Sequence, residues 1–174
     1  IPDRLSKIED IALIVNAPIS RTMLAVKKTE AAPGLTWQPQ TPVPTVGPGD
    51  VLVAVTHAAI CGTDRHIYEW DQWSAQRVPL GVTVGHEFVG RVVAVGDAVN
   101  RTRIGNRVSA EGHIGCGQCE PCRSGNGHIC EKVDILGIDC DGCMAQYVSI
   151  PQENIWPVHD DIPDHVAAIF DPLG

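Results

Sequence analysis

The chain has 174 residues, 44% of them apolar, which suits one soluble globular domain with a core of useful size. Thirteen basic residues against twenty-one acidic ones leave a net charge of −8 with no basic run, which argues against nucleic acid or an anionic membrane as a partner. Apolar stretches such as Val51–Val55 and Val92–Val95 fall far below the roughly 18 residues of a membrane span, and Ile1-Pro-Asp-Arg4 lacks the charged-then-apolar order of a signal peptide.

Residues 1–22 place Ile8, Ile11, Ala12 and Val15 at helical spacing, and read either as a short amphipathic helix or as an N-terminal extension without function, since Met23 opens a β-like run. Residues 23–174 form the domain proper. Strand-type runs follow at Leu24-Ala-Val26, Val51–Thr56, Phe88–Val95, Arg107–Ala110 and Met144–Ile150, divided by Ala32-Pro-Gly, the Pro- and Gly-rich stretch from Pro39 to Gly49, and Gly96-Asp97. A Gly- and Cys-rich excursion, Gly112 to Asp141, interrupts them. Asp161 to Phe170 reads as a helix, with Asp161 as N-cap and Pro163 in its first turn. The pattern predicts a mainly β fold with short helices: a partly open β-barrel carrying a metal-stapled lobe. Nowhere does Gly-x-Gly-x-x-Gly occur, so no Rossmann turn for a dinucleotide is expected in these residues.

Seven cysteines, four of them within fifteen residues, point to metal ligation in a reducing compartment, and so to a cytoplasmic protein. Cys116-x2-Cys119-x2-Cys122-x7-Cys130 offers four thiolates to one tetrahedral ion, and a closed four-sulfur site has no open position, so its task is to hold a loop. Cys119-x2-Cys122 with Cys140-x2-Cys143 is a second ligand set of zinc-ribbon type. Charge opposes it, because Glu111, Glu120, Glu131, Asp134, Asp139 and Asp141 outnumber Arg123 and Lys132 there, a poor surface for phosphates. On the first set, Cys140 and Cys143 are ordinary small buried residues.

Cys61-Gly-Thr-Asp64 and Gly85-His86-Glu87 each follow an apolar run and bring a thiolate, an imidazole and a carboxylate to strand ends. Alone, each is as readily structural. Together they make a mixed set with room for water or substrate, which a catalytic zinc requires. Gly85-His86-Glu87-x2-Gly90-x5-Gly96-x2-Val99 resembles the zinc signature of the medium-chain dehydrogenases, and the cysteine lobe is similar to their structural-zinc lobe. Ala59-Ile-Cys61-Gly-Thr-Asp64-x-His66-Ile-Tyr-x-Trp70-Asp-x-Trp73-Ser and Glu111-Gly-His113-Ile-x-Cys116-Gly-x-Cys119 resemble the L-threonine 3-dehydrogenase branch, from about Leu24 to Gly174.

The resemblance implies a GroES-like fold and two zinc ions, one on Cys116, Cys119, Cys122 and Cys130 and one on Cys61, His86 and Glu87, with Asp171 as a fourth acid. It implies that Asp64 hydrogen-bonds the zinc histidine and that Thr63 and His66 relay the substrate's proton outward. His113, with Glu111, is expected either to shape the substrate site or to anchor the lobe. His57, His159 and His165 read as structural or exposed. The implied reaction is NAD-linked oxidation of a secondary alcohol, foremost L-threonine to 2-amino-3-oxobutanoate, by the catalytic half of a longer enzyme whose nucleotide-binding domain is absent from these residues, or by a stand-alone remnant. A polyol or other secondary-alcohol dehydrogenase, and a non-catalytic zinc-stabilised GroES-like module, are the alternatives; NAD against NADP stays open, and a homo-oligomer is compatible.

Overall fold

The computed structural model describes residue 15 and residues 17–173, so the reading of residues 1–22 falls largely outside the described residues. β1 (Thr22–Lys28) pairs antiparallel with β2 (Thr36–Pro42) on one side and with the two-residue β4 (Val82–Thr83) on the other. The larger sheet is built on β3 (Asp50–Ala58), which lies between β5 (Phe88–Val95) and β9 (Tyr147–Pro151). β6 (Arg107–Ala110) and β10 (Ile155–Pro157) extend it beyond β5. All its pairings are antiparallel.

Val51, Leu52 and Val53 are buried in succession, so β3 is covered on both faces and its run is continuous rather than alternating. The main core gathers Val51, Val53, Phe88, Val92, Val108, Val148 and Ile150, each contributing roughly 1.5–3 kcal/mol on burial. A second cluster, Ile67, Val78, Val82, Val84 and Ile138, lies under helix α1 (Gly62–Glu69). The sheets do not close on themselves, so the mostly β, partly open architecture expected from the sequence is the one observed.

Between β3 and β5 the chain makes α1 and α2 (Gln72–Arg77), two helices that periodicity did not show. Only Asp64 and Ile67 of α1 are buried, too thin an apolar stripe to read. The cysteine excursion is framed by β7 (His113–Ile114) and β8 (Asp134–Ile135), with the single turn α3 (Glu120–Arg123) between them.

Near the chain's end the expected helix from Asp161 to Phe170 is instead two single turns, α4 (Asp164–Ala167) and α5 (Phe170–Leu173). Pro163 occupies the N-cap of α4 at ψ 145 and pushes the residue before it out of the helical region, which denies Asp161 the cap. Asp161 pairs with His159 instead, at 3.3 Å. The run from Met144 enters the sheet only at Tyr147; Ala145 bridges to Ala25 in the smaller sheet.

Candidate metal centres and active site

Antiparallel pairing creates the reactive cluster. β3 ends at Ala58 opposite Phe88, and Ala59 N–H donates to the carbonyl of Glu87 at 2.9 Å, so residues just after β3 meet those just before β5. Ligand atoms of Cys61, His86 and Glu87 consequently lie within 4.8 Å of one another. His86 and Glu87 are buried, whereas Cys61 is half-buried at the N-cap of α1. One side of the cluster is accessible and the rest is not.

Asp64 holds Cys61 through a capping box: its Oδ2 accepts the Cys61 N–H at 2.8 Å. Burial pushes the Asp64 carboxyl up, against the opposing pull of the Cys61 N–H and the His86 charge. Its other oxygen, Oδ1, and His86 Nδ1 are both buried without a hydrogen-bond partner. The bond expected between Asp64 and the zinc histidine is therefore not formed, although both of its ends lie unsatisfied in the same site. Orphaned polar atoms of this kind are costly unless something engages them. The sulfur, nitrogen and oxygen donors beside them suit a zinc ion that keeps an open position.

Asp171 is not among the converging ligands; its Oδ1 accepts the Gly112 N–H at 2.8 Å. Gly112 stands between Asp171 and His86: a Cβ there would be 3.5 Å from both the Asp171 carboxylate and the His86 Cβ. The acid is thus next to the cluster, behind one glycine.

The loop bearing His86 is nested in backbone. Gly85 has φ +91, and a Cβ on Gly137, itself at φ +72, would lie 2.3 Å from the Gly85 carbonyl oxygen. Cys143 N–H donates to that same carbonyl at 2.8 Å. No motif pointed to Gly137 or its neighbour Gly142, because their partner is 52 or more residues away in sequence.

Thr63 and His66, i and i+3 on α1, share a helix face. Thr63 Oγ1 is 3.7 Å from Cys61 Sγ, beside the cluster. His66 lies farther out, with Nδ1 2.7 Å from Asp71 Oδ2. No role was expected for Asp71, although an Asp is a preferred N-cap residue and it caps α2 here.

In the lobe, Cys116, Cys119, Cys122 and Cys130 place their sulfurs within 4.8 Å of one another. Backbone N–H groups of Cys116 and Lys132 donate to Cys130 Sγ at 3.2 and 3.3 Å, and that of Cys119 donates to Cys116 Sγ at 3.4 Å. The N–H groups of Gln118 and Cys119 bring Cys116 down to about 6, while desolvation and the neighbouring thiols drive Cys122 up to about 12. Four adjacent thiols cannot all ionise unaided, and a divalent cation supplies the missing charge, so this donor set fits zinc. Cys140 and Cys143 turn elsewhere, toward the carbonyls of Ile135 and Glu87, and burial raises both thiols. The ribbon-type set is not assembled.

His113 is tied to its own loop. Glu111 Oε1 meets both its N–H, at 2.9 Å, and its Nδ1, at 2.6 Å. The two residues line a cavity of about 480 Å³ facing Cys116, His128, Asn154 and Trp156, whose walls do not include Cys61, His86 or Glu87. His113 is thus tied to Glu111 and set in the wall of the lobe cavity, one residue on from the Gly112 that packs against His86.

The model of the alcohol dehydrogenase GroES-like domain matches residues 47–160, both metal clusters included. The chain belongs to that family. It is 50% identical over 156 residues to L-threonine 3-dehydrogenase of Mesorhizobium japonicum, covering 90% of this chain and 45% of the relative. The enzyme of the same name from Symbiobacterium thermophilum is 52% identical over 156 residues, covering 90% and 44%. A short chain alcohol dehydrogenase from Escherichia coli complexed with NADH superposes with a TM-score of 0.78 at 31% identity, over 88% of this chain and 43% of that one. Acetophenone reductase of Geotrichum candidum in complex with NAD gives 0.77 at 30%, over 87% and 44%. The chain therefore spans less than half the length of the relatives it matches. Its fold and family are those of the alcohol dehydrogenase GroES-like domain. Among the described residues no helix is long and apolar enough to cross a membrane.

Proposed function

We propose that the chain is the alcohol-activating part of a zinc-dependent, nicotinamide-linked dehydrogenase whose substrate is a secondary alcohol, foremost L-threonine, oxidised to 2-amino-3-oxobutanoate. The convergence of Cys61, His86 and Glu87 beside the hydroxyl of Thr63 carries this reading. Identity of about 50% to L-threonine 3-dehydrogenases supports the choice of substrate.

Cys61, His86 and Glu87 would hold the catalytic zinc, with Asp171 as the nearby fourth acid, and Cys116, Cys119, Cys122 and Cys130 a structural one. When bound, the catalytic zinc supplies a Lewis acid that lowers the pKa of a substrate hydroxyl. Thr63 accepts the proton that this hydroxyl gives up and donates its own outward to His66, since a threonine hydroxyl does both. Asp64 keeps Cys61 at the head of α1, and its unpartnered Oδ1 would accept the proton of His86 Nδ1 once the ring is turned to hold the metal. With a metal on its four cysteines, the lobe would fix the loop on which Glu111 and His113 wall the neighbouring cavity. Two solved relatives carry NADH or NAD. With no Gly-x-Gly-x-x-Gly turn in the chain, we assign the dinucleotide to a second domain.

Metal analysis tests the two centres. Two zinc ions per chain are expected, Cys61→Ala should lose one, and Cys140→Ser and Cys143→Ser should keep both. Retention of both ions by Cys61→Ala, or loss of the lobe ion in either serine variant, would overturn the ligand assignment. Turnover of L-threonine against polyols, measured with NAD in a form of the protein that carries the dinucleotide domain, tests the substrate.

A further inference from the structure

We infer that Asp71 is a positioning residue for His66, holding its imidazole as the Nδ1–H tautomer so that Nε2 stays free to take a proton. The inference deepens the relay above and rests on it for its purpose, though not for its geometry.

Asp71 has two oxygens with two separate tasks. Oδ1 caps α2, accepting the Ser74 N–H at 2.9 Å and the Ser74 hydroxyl at 3.0 Å, so the carboxylate is fixed by a helix end and not by the histidine. Oδ2 is left to face His66 Nδ1 at 2.7 Å, a distance typical of a charge-assisted bond. The Ser74 N–H first, and then the His66 contact, hold the Asp71 carboxyl below the usual carboxylate range, so it is ionised at neutral pH and can only accept. The proton of a neutral His66 must then sit on Nδ1. Trp73, also on α2, meets the imidazole edge-on with ring centroids 6.3 Å apart and restrains its rotation. A free imidazole carries its proton on either nitrogen, whereas only an unprotonated Nε2 can receive one from the Thr63 side.

Placing this pair at the start of α2 has a further effect. Asp71 N–H donates to the His66 carbonyl at 3.5 Å, so the α1–α2 corner is one compact unit that carries both partners. His66 remains exposed on its outer side and can pass its proton to water.

The tautomer is read directly from the nitrogen-15 shifts of the His66 ring in the zinc-loaded chain, at a pH where the ring is neutral. The expected result is Nδ1 protonated and Nε2 bare. Asp71→Asn keeps an oxygen to cap Ser74 but can turn an NH2 toward the ring, so it should reverse the pattern to Nε2–H. Ser74→Ala loosens the cap without touching Oδ2 and should leave the tautomer as in the parent. Nε2–H in the parent chain overturns the inference without any variant, and so does a Ser74→Ala spectrum reversed like that of Asp71→Asn. In a turnover-competent form, Asp71→Asn should lose as much rate as His66→Ala, with KM little changed. If the shifts are as expected while Thr63→Ala costs nothing, the Asp71–His66 pair stands and the relay falls.

Discussion

A group that must accept one proton while giving up another cannot be replaced by a methyl. Thr63 beside Cys61 is such a group, and in a turnover-competent form Thr63→Ala should lower kcat by about 10² to 10⁴, the usual worth of positioned proton transfer. Thr63→Ser keeps the hydroxyl and should retain most of the rate, with the zinc content of both variants unchanged. Equal, near-parental rates for the two would remove Thr63 from the proton path. His66→Ala should cost less, because its side chain is 58% exposed and water reaches its position, and added imidazole should restore part of the loss. At this scale the sequence was legible wherever the chemistry needs an unusual residue type at a strand end, as with Cys61 and His86. Asp71 was not legible as a partner for His66, because an acid five residues away on a helix corner looks like any solvated carboxylate.

Elements meet at the cluster through glycine. The His86 loop lies so close to residues 137 and 142 that a Cβ at Gly137 would press within 2.3 Å of a backbone oxygen that has no rotamer to yield, in a conformation (φ +72) that also disfavours a side chain. Gly137→Ala should therefore destabilise the fold by about 3 kcal/mol, overpacking and backbone strain together, and should shift His86 enough to weaken the reactive-site zinc before the lobe zinc. Urea unfolding with parallel metal analysis checks both. A variant of parental stability would mean that the close approach relaxes freely. β3 and β5 could be read from their apolar runs, yet α1 and α2 could not, since two buried residues in eight give no period. Pro163 misled in a different way: proline in a first turn suits a helix, but here it follows a turn closed by the Ile162 N–H on the His159 carbonyl and caps only a single helical turn.

Across the molecule, the architecture was legible because it depends on runs of buried residues, whereas which loops touch depends on pairings tens of residues apart. One such tie joins α2 to the loop after β8. Arg77 grips Asp139 with two bonds, Nε to Oδ1 at 3.0 Å and Nη2 to Oδ2 at 2.7 Å, and Asp139 Oδ2 also accepts the Ile135 N–H at 2.9 Å. The guanidinium holds the Asp139 carboxyl below its ordinary value. A carboxylate lowered in this way stabilises the fold at every pH above its unfolded pKa, near 4, and that contribution disappears as pH falls through the lower native value. The Arg77 side chain is 37% exposed, so screening limits the pair to about 1 kcal/mol at neutral pH. Arg77→Met keeps much of the aliphatic stem and removes the charge. Its unfolding free energy should lie about 1 kcal/mol below that of the parent at pH 7, the gap closing below pH 4 and narrowing in high salt. Because both chains carry the same metal ligands, acid loss of zinc affects them alike and cancels in the difference. A gap that stays constant from pH 7 to pH 2 would show that Arg77 acts by packing alone, and that the corner holding His66 and Asp71 is fixed to the lobe by shape instead of charge.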